Sequence, residues 1–135
     1  MIQIREEVRV RYAETDQMGF AYHGDYAPWF ESARTSLLRA HGLPYRDLET
    51  QGFYLPVLEL HVNYKKPARY DDVIVIVAVL REKPTLRVKI EYEVLRGEEL
   101  LATGHTLHAF IDKTGRPVRP PATFAKRMTE LFSEA

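Results

Sequence analysis

A single long stretch of this 135-residue chain has helical spacing, and almost everything after it is spaced as strand. Tyr26, Trp29, Phe30, Ala33, Leu37 and Ala40 recur at intervals of three and four, which gives a helix with a broad aromatic face. Gly42 followed by Pro44 supplies the stop signal. Asp25 stands where an N-cap belongs, and Pro28 falls in the first turn, where a missing N–H costs nothing. So wide an apolar face must be buried, and only strands remain to bury it. The helix therefore demands a curved antiparallel sheet wrapped around it, an α+β architecture.

The strands are read from their periods. Ile2, Ile4, Val8, Val10 and Tyr12 alternate with polar residues, broken only by Glu6, as in a strand with one buried face. Ala13 to Gly24 loses all periodicity and reads as a structured loop. A short second helix is expected at Tyr45–Thr50. Tyr54–Tyr64 mixes β-formers with Pro56, and Val73–Leu80 is a continuous apolar run, the pattern of an inner strand covered on both faces. Leu86 to Val94 alternates, Arg96-Gly97-Glu98 marks a hairpin, and Leu100–Ile111 returns. Ala122–Phe132 is an amphipathic C-terminal helix. Residues 1–135 form a single domain, the size expected of one core.

Composition excludes several classes of function. Nineteen basic and nineteen acidic side chains balance, which argues against a nucleic-acid surface. Without cysteine there is no disulfide, thiolate metal site or cysteine nucleophile. The first residues are charged from Arg5 onward and lack the apolar core of a signal peptide, and no stretch has the ~18 apolar residues of a membrane helix. A cytoplasmic location without membrane insertion is expected. His61, His105 and His108 lie on strand segments without ligand spacing, so no metal site is expected.

The informative stretch runs from Arg9 to Tyr26. A strand ending in Arg9-Val10 leads to Thr15-Asp16, then Gly19, then Tyr22-His23 and Tyr26, followed by Trp29-Phe30-Glu31-Ser32-Ala33-Arg34. Together with Tyr64-Lys65-Lys66-Pro67-Ala68-Arg69-Tyr70-Asp71-Asp72, it resembles the 4-hydroxybenzoyl-CoA thioesterase family of hotdog proteins, above all the bacterial acyl-CoA thioesterase branch associated with the Tol-Pal envelope system. The resemblance covers nearly the whole chain. It implies a hotdog fold and hydrolysis of acyl-CoA without cofactor or metal, and the edge strands and sheet face that such an arrangement leaves exposed call for a homodimer or homotetramer. It also implies that Asp16 is the catalytic carboxylate, as nucleophile or as base for water, and that the backbone N–H at His23 or Gly24 holds the oxyanion. Elementary chemistry agrees, since a carboxylate beside a helix start lies next to unpaired N–H groups and the positive end of a dipole.

Each of these residues also has a plainer explanation. Asp16 can close an Asx-turn, and His23 can be a simple helix-start residue. Gly19 lets the loop turn tightly. Tyr22, Tyr26 and Trp29 can line an acyl pocket or merely pack under the sheet. Glu31 is a rival catalytic base on the helix, although an ordinary i,i+3 ion pair with Arg34 explains both residues. The CoA phosphates call for basic residues, and two clusters qualify: Lys65, Lys66 and Arg69, and the group Arg81, Lys83 and Arg87 with Lys89. A hotdog hydratase needs a catalytic histidine motif that is not found here. A non-catalytic acyl-binding scaffold and an acyl-carrier-protein thioesterase are the remaining rivals.

Overall fold

The computed structural model describes residues 1–133. In chain order it contains β1 (Ile2–Arg9), one-turn 3-10 helices at Tyr12–Glu14 and His23–Asp25, α1 (Tyr26–Ala40), α2 (Tyr45–Thr50), β2 (Val57–Tyr64), β3 (Val73–Leu80), β4 (Arg87–Arg96), β5 (Glu99–Ala109) and α3 (Ala122–Ser133). The five strands form one antiparallel sheet in the order β1-β3-β4-β5-β2.

The aromatic stripe of α1 does what its spacing requires. Tyr26, Trp29, Phe30, Ala33 and Leu37 share one buried cluster with Ile74, Ile76, Ala78 and Leu80 of β3 and Val88, Ile90, Tyr92 and Val94 of β4. Phe30 stacks face to face on Tyr92 with ring centroids 4.1 Å apart. A Cβ at Gly104 would lie 2.8 Å from the Phe30 ring and 2.5 Å from the carbonyl of His61, so helix, β5 and β2 approach this closely only because residue 104 has no side chain. Glu6, the irregularity in the first strand, keeps its place in the alternation and accepts a hydrogen bond from Ser36 of α1 at 2.9 Å.

The expectation for β3 is met, and that for the start of α1 is refined. The continuous run of β3 is buried on its second face too, because Val77 and Val79 lie opposite Arg5 and Glu93, and Gln3 and Glu91, on the flanking strands. Long side chains with apolar stems cover them there. Asp25 occupies the N-cap position of α1 but does not cap it with its side chain. It has helical dihedrals (φ −77°, ψ −11°) and makes no capping bond, because the 3-10 turn at His23–Asp25 runs directly into the helix. The extended residue before the helical path is Tyr22, so the unpaired N–H groups move back to His23 and Gly24.

Candidate active site

Residues 14–22 fold back on themselves as a small hairpin. Tyr22 N–H donates to the Glu14 carbonyl at 2.7 Å, Thr15 bridges Ala21, and Asp16 N–H donates to the Phe20 carbonyl at 2.9 Å. Gly19 closes the turn with φ +82°, a conformation that favours glycine. The Asp16 carboxylate shapes the turn from within, its Oδ1 accepting from Met18 N–H at 2.9 Å and Phe20 N–H at 3.3 Å. The Asx-turn and the catalytic reading therefore use different atoms. Oδ1 holds the loop, and Oδ2 has no hydrogen-bond partner among the described residues.

The second arm of the hairpin leads into the 3-10 turn. Nothing among the described residues accepts from the N–H of His23 or Gly24. The carbonyl of His23 accepts from the Tyr64 hydroxyl at 2.8 Å, tying this turn to the end of β2, while Ala21 N–H donates to Ala68 at 2.8 Å. Asp16, Met18, Phe20, Ala21, His23 and Tyr26 then face Tyr64, Lys65, Lys66 and Pro67 across an open pocket of ≈ 280 Å³.

The structure thus brings together Asp16, His23, Tyr26, Lys65 and Lys66 from the sequence candidates. Gly19 does not line this pocket but a second depression on the other side of Asp16, formed by Tyr12, Thr15, Asp16, Gln17 and Tyr70. Tyr22 is exposed and lies on His23, and its ring occupies the space a Cβ at Gly24 would need. Trp29 is buried under the loop and does not line the pocket. Arg69 reaches over the ring of Phe20 at 4.9 Å and so stands at the pocket's rim. Lys66 is paired with Glu99 at 3.1 Å, whereas Lys65 and Arg69 have no carboxylate partner among the described residues.

Arg81, Lys83 and Arg87 line a different depression with Lys89 and Glu91. They follow the end of β3 that pairs with Ile2, while the Asp16 loop leaves the end that pairs Arg9 with Val73. Eight strand residues, ~25 Å, separate the two ends. Within one chain this group stands apart from the Asp16 pocket.

The Glu31–Arg34 ion pair does not form. Arg34 Nη1 instead donates to the Tyr92 hydroxyl at 3.3 Å, because Arg34 is half-buried and reaches the sheet while Glu31 stays exposed. Tyr92 continues to Thr106 (2.7 Å) and Thr106 to Nε2 of the fully buried His108 (2.7 Å). Burial, and then the Arg34 charge, push His108 down to about 4. His61 and His105 stack on the opposite face of the sheet with centroids 5.3 Å apart. No group of three or more His, Cys, Asp or Glu residues among those described is placed to hold a metal ion.

Sequence reasoning missed Glu14 and Tyr64. Glu14 is buried at 7% exposure, with Oε1 accepting from Arg11 N–H at 2.8 Å and Oε2 from Trp29 Nε1 at 2.9 Å. Burial alone would raise its pKa, but the hydrogen bonds from Arg11 and Trp29 and the Arg11 guanidinium outweigh it and hold the carboxyl below the usual range. Asp25 is shifted the other way, by burial and then by the Glu14 charge.

Residues 10–128 match the model of the thioesterase-like superfamily. The chain belongs to that superfamily. Among its relatives is YneP of Bacillus subtilis, provisionally named an acyl-CoA thioesterase, 34% identical over 110 residues that span 81% of this chain and 80% of YneP. The acyl-CoA thioester hydrolase YbgC of Escherichia coli O157:H7 is 32% identical over 105 residues, 78% of this chain and 69% of that protein. The structure of a DHNA-CoA thioesterase from Staphylococcus aureus superposes with a TM-score of 0.92 at 36% identity, covering 98% of this chain and 93% of that one. The fold is the hotdog fold of this superfamily, and the chain is a thioester hydrolase. Among the described residues no helix is long and apolar enough to cross a membrane.

Proposed function

We propose that this thioester hydrolase cleaves acyl-CoA to a free acid and CoA in the Asp16 pocket. The observation that carries the reading is the juxtaposition, across one hairpin, of a carboxylate oxygen and two backbone N–H groups that have no partner among the described residues. The thioester carbonyl oxygen lies toward the N–H groups of His23 and Gly24, where its negative charge is held as it develops. Oδ2 of Asp16 either attacks the carbonyl carbon or takes a proton from the water that does. In both routes the C–S bond breaks, CoA leaves as the thiol, and water supplies the acid's second oxygen; the first route passes through an acyl–Asp16 anhydride.

Phe20, Tyr26 and Tyr64 give the pocket apolar walls for the acyl group. Burial raises the pKa of Tyr26 and of Tyr64, so both stay neutral phenols at physiological pH. Lys65 and Arg69, which have no carboxylate partner among the described residues, are the CoA phosphate contacts at this pocket. Arg81, Lys83 and Arg87 contribute only from a second subunit. A homodimer is supported by β2, an edge strand whose Val57, Leu58, Leu60 and Tyr64 are all close to half exposed. Pairing β2 with a second copy would satisfy that edge and cover those side chains. An acyl-CoA substrate supports a cytoplasmic location.

The test is thiol release from a panel of acyl-CoAs, short, long and aromatic, with wild type and Asp16→Asn side by side. Turnover that collapses in the variant is expected. CoA binding without turnover of any substrate would favour a binding module. Turnover of acyl-carrier protein alone would assign Lys65 and Arg69 to docking an acidic protein.

A further inference from the structure

Among the described residues Glu14 is the only carboxylate residue that is buried as a whole, and the only one with a donor on each buried oxygen, yet the proposed chemistry gives it no task. Burying a charge is costly unless every lone pair finds a donor, so a residue needed only for packing would be apolar. Half of its bonding is local, since the bond from Arg11 N–H caps the short turn at Tyr12–Glu14. The other half is not. Oε2 reaches the indole of Trp29 on α1, fifteen residues further along the chain.

Glu14 also occupies the base of the active-site hairpin. Its backbone carbonyl receives Tyr22 N–H, so the two arms meet there. Two residues along one arm stands Asp16. Immediately beyond Tyr22 on the other come His23 and Gly24, whose N–H groups face no acceptor. One side chain therefore fastens to α1 the point from which attacking carboxylate and oxyanion donors both project. We infer that Glu14 is the positioning residue of this site: its carboxylate, shared between Arg11 N–H and the Trp29 indole, sets the distance between Asp16 and the His23–Gly24 N–H pair. The inference rests on the hydrolase reading above.

A carboxylate suits this task better than its amide. It accepts on both oxygens, whereas the NH₂ of a glutamine would face one of the two donors. Glu14→Gln therefore loosens the latch with little change in shape. The charged groups around Glu14 are the Arg11 guanidinium, 3.5 Å from Oε1, and Asp25.

The experiment is a double-mutant cycle of Glu14→Gln and Trp29→Phe, read in kcat and KM with the best acyl-CoA of the panel. Glu14→Gln should lower kcat by about 10²-fold, the scale of a 1 Å misplacement, with KM changed less than about twofold. Trp29→Phe should cost less, because the Arg11 bond survives, and the double variant should be no worse than Glu14→Gln alone. Wild-type kcat in Glu14→Gln, or losses that multiply in the double variant, would overturn the inference. If Glu14→Gln does not fold, Trp29→Phe decides: reduced kcat at constant KM supports the latch, and unchanged kcat refutes it.

A second readout does not depend on turnover. Trp29 is the only tryptophan, so its emission reports on its carboxylate partner. An acid titration of that emission should appear in wild type and Asp16→Asn and be absent from Glu14→Gln. If wild type releases no thiol from any acyl-CoA, the hydrolase reading has failed, and the latch is judged on emission alone. A titration unaffected by Glu14→Gln, or none at all in wild type, would then sink it.

Discussion

Two polar clusters among the described residues pack against α1 on different terms. Near the helix start, Glu14 keeps a negative charge inside by giving it the Arg11 N–H and the Trp29 indole. Farther along, Arg34, Tyr92, Thr106 and His108 form a chain in which the buried histidine stays neutral. A buried charge is sensitive to the placement of its donors, so it fixes geometry, whereas the second chain runs from a partly exposed guanidinium through two hydroxyls to a neutral imidazole and ties helix to sheet. The first cluster lies under the residues proposed to carry the reaction. The second lies between helix and sheet, where only cohesion is needed. Substitutions at the proposed catalytic end should be visible in turnover, and those in the Arg34–His108 chain in stability.

The largest effect belongs to Asp16. Asp16→Asn keeps an oxygen for the Met18 and Phe20 N–H groups, so it should melt like wild type while kcat falls by about 10²–10⁴-fold. Loss of the fold along with the rate would erase the contrast.

Next comes His108, which should act through pH. Its folded pKa of about 4 lies below the ordinary 6.5, so the folded state binds fewer protons than the unfolded. Its contribution is complete above pH 6.5 and is lost as pH falls toward 4, by at most about 3 kcal/mol. Urea midpoints for wild type should fall from pH 7 to pH 4.5, and His108→Gln should flatten that slope. A slope of the same size in the variant would place the titration elsewhere.

Tyr92→Phe should cost about 1–3 kcal/mol, because the shared hydroxyl between Arg34 and Thr106 disappears, and kcat should not change. A drop in kcat would show that the two clusters are coupled through α1. The smallest effect is expected at the rim. Lys65→Ala with Arg69→Ala should raise KM for acyl-CoA by about three- to tenfold at low salt, a difference that shrinks as salt is added. Measuring KM across a salt series would test it, and a salt-independent KM would exclude these residues as phosphate contacts.

Much of this was legible in the sequence because period and burial coincide. The stripe from Tyr26 to Leu37, the alternation of β4 and the unbroken run of β3 each name their own element. Asp16 stood out through its motif. Glu14 did not, because in a loop without periodicity nothing separates it from Glu6 or Glu7; its burial follows from the indole of a residue one helix away. Tyr64 ends a strand that reads as ordinary, and only the bond to His23 shows where that end lies. Arg34 illustrates the converse. The i,i+3 spacing suggested Glu31, yet a partially buried guanidinium found a phenol on the sheet instead. The span between the two basic clusters was equally hidden, since it depends on the antiparallel register of β1 on β3.

The strand order has a consequence for how the chain comes to be folded. β1 and β2 precede the other strands in sequence, yet they form the two outer edges of the sheet. Neither meets a neighbour until β3 and β5 have been made: β1 must wait for Val73–Leu80, and β2 for Glu99–Ala109. During synthesis the first half of the chain is a helix with an aromatic face and two strands that cannot pair. Such long-range closures slow folding and leave apolar surface open while they are awaited. Only when β5 emerges can Gly104 slide beneath Phe30 and the sheet close on its helix.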